Sequence, residues 1–173
     1  GDAANITIVE NAGNEKVYYE FHQDGSQRKC LVIPDGAFRN PMTVEQIQNQ
    51  IVRMPLTGVV MDGSTVFNFA QKEVPILVDS LTKMAETTKE DIDWFLFHQP
   101  NKFMLQKLAE RIGVPFEKMP MDIVEKFGNS NSATIPTAIT ADLKEEMLNK
   151  ESLCCLAGFG AGVAWAGIIM KMG

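Results

Sequence analysis

The chain has 173 residues, with 16 Lys+Arg against 22 Asp+Glu, a formal net charge of −6 and 45% hydrophobic residues. That length suits one domain with a real core, and the composition excludes a disordered or low-complexity chain. The acidic balance argues against a nucleic-acid partner, because phosphate contacts need a basic face. The chain opens Gly1-Asp2-Ala3-Ala4, without Met, which predicts a segment of something longer.

Residues 6–9 alternate apolar and polar, and residues 17–21 are β-branched and aromatic. With Asn11-Ala12-Gly13-Asn14 between them, they predict two strands joined by a short turn. From 26 to about 60 the pattern weakens, punctuated by Pro34-Asp35-Gly36 and Asn40-Pro41. Thr43 is placed to cap a short helix reaching Ile51, with Glu45 in its first turn. This stretch reads as a long surface excursion. After Asp62, the residues Val66, Phe69, Ala70, Ile76, Leu77, Leu81 and Met84 recur at helical spacing, and Pro75 predicts a kink rather than a stop. Trp94-Phe95-Leu96-Phe97 reads as a buried strand ending at His98. Residues 101–112 are amphipathic and stop at Gly113. Residues 118–123 are a weaker strand candidate, 133–148 read as helix, and 153–157 and 163–170 as two strands around a glycine-rich turn. The order is β-β-α-β-α-β-α-β-β: an α/β fold with a mostly parallel sheet, helices on both faces and an antiparallel closing hairpin.

From Ser130 to Ala141 no residue is charged and nearly all side chains are small. A helix uncharged all round is expected to be buried all round, between two layers. The apolar run 153–170 is interrupted by Gly158-Phe159-Gly160-Ala161-Gly162 and is not a membrane helix. Cys30, Cys154 and Cys155 lack zinc spacing, so no metal is expected. They read as reduced, buried thiols of a cytoplasmic protein. Adjacent Cys154 and Cys155 point to opposite faces of a strand, which disfavours a bridge between them.

Two histidines are present. His22 sits at a strand end in polar company and reads as structural. His98 follows a buried strand, at the carboxyl end where open α/β sheets bind ligands, although it also suits a helix-capping role. Asn129, between a predicted strand and the small-residue helix, is either a second polar group at that edge or an N-cap. The glycines at 158–162 allow the main chain to approach a ligand. They are not a dinucleotide fingerprint, since a strand follows them.

Three motifs then stand in order. Asp91-Ile92-Asp93-Trp94-Phe95 runs into His98-Gln99-Pro100-Asn101; Gly128-Asn129-Ser130-Asn131-Ser132-Ala133 follows; Gly158-Phe159-Gly160-Ala161-Gly162 comes last, with Trp165. Together they resemble the C-terminal half of β-ketoacyl-acyl carrier protein synthase III, a condensing enzyme of the thiolase fold. Gly1-Asp2-Ala3-Ala4 is similar to the family's Gly-Asp-Gly-Ala near the end of its N-terminal half. The resemblance covers nearly the whole chain except about 26–56, where this sequence is longer.

The resemblance implies a layered α-β-α-β-α fold in which this chain supplies a thiolase-like half with a five-stranded sheet. Residues 1–14 would be the last strand of the N-terminal half and its turn, and 15–173 the C-terminal domain with its excursion at about 26–60. It also implies decarboxylative Claisen condensation, with coenzyme A or phosphopantetheine thioesters as substrates and no bound cofactor. His98 and Asn129 match the catalytic pair that stabilises an enolate, and Ala161, beside Gly160, the backbone oxyanion donor. Gly63, Ser64, Phe67, Pro100, Asn101, Met104 and Phe159 would lie along the substrate. Pro100 stands where the family has a small Ala, Ala3 replaces a Gly, and Ser64 replaces a common Asn. The nucleophilic Cys belongs to the N-terminal half, which becomes the first expected partner. The chain alone is expected to be inactive, being a cloned segment, a proteolytic fragment or one chain of a split enzyme. The others are an acidic acyl carrier protein, met by Lys102, Lys107 and Arg111 if these are more than a solvated helix face, and a second copy in a homodimer. No nucleic acid or membrane is expected. Two other readings stay open: a related thiolase-fold acyltransferase with another acceptor, and a non-catalytic scaffold subunit.

Overall fold

The computed structural model describes residues 1–9, 15–34, 38, 41–45, 47–48 and 59–173. In chain order its elements are β1 (Tyr18–Gln23), β2 (Leu31–Val32), β3 (Val60–Met61), α1 (Gly63–Met84), β4 (Trp94–Phe97), α2 (Lys102–Ile112), α3 (Ile123–Phe127), α4 (Thr134–Asp142), α5 (Lys144–Asn149), β5 (Ser152–Gly160) and β6 (Ala164–Met172). Ile47 N–H donates to Thr43 O at 3.0 Å, a helical turn where one was expected. The continuation to Ile51 and the turn at 11–14 lie outside the described residues.

The main sheet has the order β1-β6-β5-β4, and β2 pairs with β3 in a separate ribbon. Among the described strands β4 and β5 pair in parallel, whereas β5–β6 and β1–β6 are antiparallel. The α/β class holds, but the described sheet is mixed and four-stranded rather than mostly parallel and five-stranded. The fifth candidate, at 118–123, fails for local reasons. Phe116–Lys118 is a 3-10 turn and Ile123 begins α3. Pro120 has no N–H to give a ladder, and its carbonyl accepts from Gln99 Nε2 at 2.8 Å instead. Residues 6–9 form no strand either: Ile6, Ile8 and Val9 are 94%, 89% and 88% exposed, with no described strand beside them.

Helices cover both faces because strand side chains alternate. On one face Phe95, Phe97, Cys155, Ala157 and Ile169 pack with α1 and α2; on the other Leu96 and Cys154 pack with Leu143, Met147, Ile135 and Ile139. The two adjacent cysteines therefore do face opposite sides. Helix α1 begins where Asp62 accepts from the N–H groups of Ser64 and Thr65, and runs through Pro75. Its buried stripe is Phe69, Ala70, Val74, Leu77, Val78 and Leu81. Ile76 and Met84, expected on that stripe, are 56% and 44% exposed.

The stretch expected as one helix over 133–148, uncharged up to Ala141, differs from expectation in two ways. It is two helices, broken at Leu143 (φ −120°), not one. It is also not buried all round: Thr134 and Ala138 are buried, whereas Thr140 and Ala141 are exposed. It packs on β4 and also meets the N-terminal segment, where Asn5 Nδ2 donates to Ala133 O and Thr137 Oγ1 at 3.3 and 3.4 Å. Among the described residues no helix is long and apolar enough to cross a membrane.

Candidate active site

His98 leaves the carboxyl end of β4, where its N–H donates to Ala157 O at 2.8 Å and continues the parallel register with β5. Asn101 then caps α2, its Oδ1 accepting from Met104 N–H at 2.8 Å. The cap frees His98 from that duty, so the capping alternative for His98 falls to Asn101. The imidazole is half-buried, with Nδ1 2.8 Å from Thr134 Oγ1. Burial pushes its pKa below the ordinary value, opposed by a hydrogen bond to the Asn131 backbone. The ring is thus held neutral at neutral pH.

Asn129 lies in the loop between α3 and α4. Its Oδ1 accepts from Asn131 N–H at 2.8 Å, which leaves the amide NH₂ as the donor it can offer. A local Asn-turn thus accounts for the capping alternative without using up the donor. Gly128 before it has φ 72° and ψ 177°, and Asn131 after it has φ 53°. Thr134 Oγ1 is also 2.9 Å from Asn131 O. One continuous set of contacts, His98–Thr134–Asn131–Asn129, therefore ties together two loops that the sequence separates by about thirty residues.

The third motif reaches the same edge through β5. Phe159 and Gly160 are the last strand residues and Ala161 is exposed in the turn. The turn is narrower than the sequence pattern indicated, since 158–160 continue the ladder against 164–166. Its far side is pinned by Asp24 and Val163, which exchange backbone bonds at 2.8 and 3.1 Å. The Phe159 and His98 rings meet edge to face at 5.7 Å. His22 is elsewhere, stacked on Trp165 at 5.2 Å and 2.9 Å from Glu20 Oε2.

The remaining candidates divide. Gly63 and Ser64 form the exposed first turn of α1, with Ser64 Oγ donating to Asp62 Oδ1 at 2.7 Å. Asp62 has its pKa lowered to about 2, first by the Thr65 and Ser64 hydroxyls. Phe67 stacks on Phe103 of α2 at 5.8 Å. Pro100 is half-buried beside His98, whereas Met104 is 5% exposed and packs in the core. Lys102 pairs with Asp122 (2.8 Å) and Glu125 (3.3 Å), and Lys107 with Glu110 (2.7 Å), so their charges are locally compensated. Arg111 is exposed in the last turn of α2. Cys30, Cys154 and Cys155 are buried, and burial pushes both Cys154 and Cys155 up to about 12. Such thiols are poor nucleophiles. Thr134 went unnoticed in the sequence, where it is one more small residue in an uncharged helix.

Residues 82–172 match the family described as 3-oxoacyl-[acyl-carrier-protein (ACP)] synthase III C terminal. A β-ketoacyl-[acyl-carrier-protein] synthase III from Synechocystis sp. is 31% identical over 172 residues, covering 99% of this chain and 51% of that protein. The crystal structure of a 3-oxoacyl-(acyl-carrier protein) synthase from Burkholderia xenovorans LB400 is 33% identical, with a TM-score of 0.81 over 93% of this chain and 45% of that one. A 2.1 Å crystal structure of a 3-oxoacyl-(acyl-carrier-protein) synthase III is 31% identical, with a TM-score of 0.79 over 94% of this chain and 50% of that one. The chain spans about half the length of the relatives it matches.

Proposed function

The chain belongs to the 3-oxoacyl-[acyl-carrier-protein] synthase III C-terminal family of thiolase-fold proteins, and on that premise we propose that it supplies the enolate-stabilising half of a decarboxylative condensing enzyme. The observation that carries the proposal is the contact chain from His98 through Thr134 and Asn131 to Asn129. It holds a neutral imidazole and a free amide donor at one edge of the sheet.

The chemistry follows from what those groups offer. An acyl thioester transfers its acyl group to a cysteine, releasing the carrier thiol. Malonyl-carrier protein then enters and its C–C bond to the carboxylate breaks, giving carbon dioxide. The electron pair passes into the thioester carbonyl as an enolate. Neutral donors aimed at that oxygen stabilise the developing charge. His98 Nε2 and Asn129 Nδ2 are assigned that role. The enolate carbon attacks the acyl carbonyl, the C–S bond to cysteine breaks, and the thiolate takes up a proton. The backbone N–H of Ala161, next to Gly160, is assigned to the acyl oxygen during that step.

The nucleophile is not one of Cys30, Cys154 and Cys155, which are all buried, with burial opposing ionisation of Cys154 and Cys155; it is assigned to a segment matching the relatives' N-terminal half. The same segment is assigned the uncovered face of α4 and a strand alongside residues 6–9. Gly63, Ser64, Phe67, Pro100 and Phe159 are assigned to the pantetheine arm and thioester; Asn101 and Met104 support it from the start of α2. Arg111 is the carrier-protein contact favoured here, because Lys102 and Lys107 already have acidic partners. A homodimer and a cytoplasmic location complete the reading.

The test uses the intact protein that carries this chain. His98→Ala and Asn129→Ala are each expected to lower malonyl decarboxylation by about 10²-fold or more, as for loss of an oxyanion donor. Unchanged carbon dioxide release in both would remove the assignment. Acyl transfer to another acceptor without any carbon dioxide would make the protein a related acyltransferase instead.

A further inference from the structure

We propose that Thr134 is a positioning residue whose single hydroxyl proton decides which tautomer His98 presents to the site. The inference rests on the role proposed above for His98. Thr134 is fully buried at the start of α4. Its Oγ1 has three neighbours: His98 Nδ1 at 2.8 Å, Asn131 O at 2.9 Å, and Gln99 N at 3.3 Å.

The contacts sort by the two neutral tautomers of the ring; in the one protonated at Nδ1, the Nδ1–H also reaches the Asn131 backbone. A hydroxyl has one proton and two lone pairs. The Gln99 N–H can only donate, so it occupies one lone pair. Asn131 O can only accept. If the hydroxyl proton goes to Asn131 O, the remaining contact requires Nδ1–H to donate to Oγ1, and a neutral ring then shows a bare lone pair at Nε2. If the hydroxyl turns its proton to Nδ1, the ring proton sits on Nε2, which becomes a donor. The two differ by rotation about the Cβ–Oγ1 bond and by transfer of one ring proton through water. No heavy atom moves and no charge changes.

The two acceptors are nearly equidistant and compete for one proton. Asn131 is exposed, so water can replace the bond that its carbonyl gives up. His98 therefore passes between an Nε2 acceptor, suited to taking a proton from a thiol, and an Nε2 donor, suited to an enolate oxygen. Valine at 134 keeps the shape but can neither donate nor accept. Nδ1 then keeps the Asn131 carbonyl as an acceptor, which fixes the proton on Nδ1 and removes the donor from Nε2.

The experiment is ¹⁵N NMR of the imidazole in the intact protein, at a pH above the ordinary histidine value, for wild type, Thr134→Val and Thr134→Ser. The wild type is expected to show partial protonation of both ring nitrogens. Thr134→Val is expected to show a single tautomer protonated at Nδ1, and Thr134→Ser the wild-type pattern. In turnover, Thr134→Val is expected to lower kcat for condensation by about 10²-fold with KM unchanged, and Thr134→Ser to restore it. A single tautomer in the wild type overturns the proposal without any variant. So does wild-type turnover in Thr134→Val while His98→Ala is inactive. If His98→Ala itself keeps full turnover, the role of His98 fails, and the nitrogen pattern still judges the switch.

Discussion

Phe159 and His98 face each other edge to face, ring centroids 5.7 Å apart at 75°. The phenyl ring occupies space where water would otherwise solvate an imidazolium, and burial is the largest cause of the lowered His98 pKa. Phe159→Leu is expected to raise that pKa toward 6.5 and to move the acid limb of turnover to higher pH. An NMR titration of His98 and a pH profile measure both; a titration unmoved by the substitution contradicts the cause given.

The same shift sets a pH dependence of stability. The folded pKa lies below the unfolded value, so above about pH 6.5 both states are neutral and the contribution is complete. As pH falls from there through the folded value, the unfolded state takes up the proton first and stability declines. His98→Gln is expected to remove that part of the slope in thermal unfolding followed from pH 7 downward. An unchanged slope in the variant rules out His98 as its source.

Cys154 and Cys155 lie on opposite faces of β5, both with thiol pKa values of about 12. At pH 8 neither is expected to react with iodoacetamide in the folded protein, and both are expected to label in denaturant. Cys154→Ala and Cys155→Ala are expected to keep turnover in the intact protein. Peptide mass mapping decides the labelling, and rapid native modification of either would show that the strand opens.

Gly128 has a φ and ψ that essentially only glycine adopts, and a Cβ there would lie 3.1 and 3.2 Å from the Gly1 backbone. Gly128→Ala is expected to destabilise by about 1–3 kcal/mol and to displace Asn129. Denaturant unfolding reads the first effect and decarboxylation the second. Full activity in a destabilised variant would separate the strain from the position of Asn129.

At Gly167 of β6 the side chains of α1 lie directly against the strand backbone. A Cβ there would sit 2.7 Å from Leu81 Cδ1, 3.0 Å from Leu77 Cδ2 and 3.2 Å from Leu156 O. Both leucines are buried and cannot swing outward. Gly167→Ala is expected to cost about 1–3 kcal/mol through overpacking, read as a lower denaturant midpoint. On a Leu81→Ala background the same Gly167→Ala step is expected to cost less, since the truncation opens the space the new methyl needs.

Much of this molecule is legible in the residues alone. Periodicity locates α1, α2 and the buried strand at 94–97, because an apolar stripe or run has only one way to leave water. Alternation along a strand puts Cys154 and Cys155 on opposite faces. The three motifs single out His98, Asn129 and Ala161 as candidates by chain order. The 118–123 segment is apolar enough for a strand, but Pro120 within it has no N–H for a ladder, and its carbonyl accepts from Gln99. Other properties depend on neighbours distant in sequence. The helix at 130–141 reads as buried all round, yet burial belongs to whatever covers it, and here Thr134 and Ala138 are buried while Thr140 and Ala141 are exposed. Lys102 reads as part of a basic patch until Asp122 and Glu125, twenty and twenty-three residues on, come alongside. Thr134 carries no sequence signal at all, because a hydroxyl's role is set by which acceptors surround its one proton. Sequence determined the elements and the chemical groups; the tertiary structure decided which of those groups share a proton, a charge or a covered face.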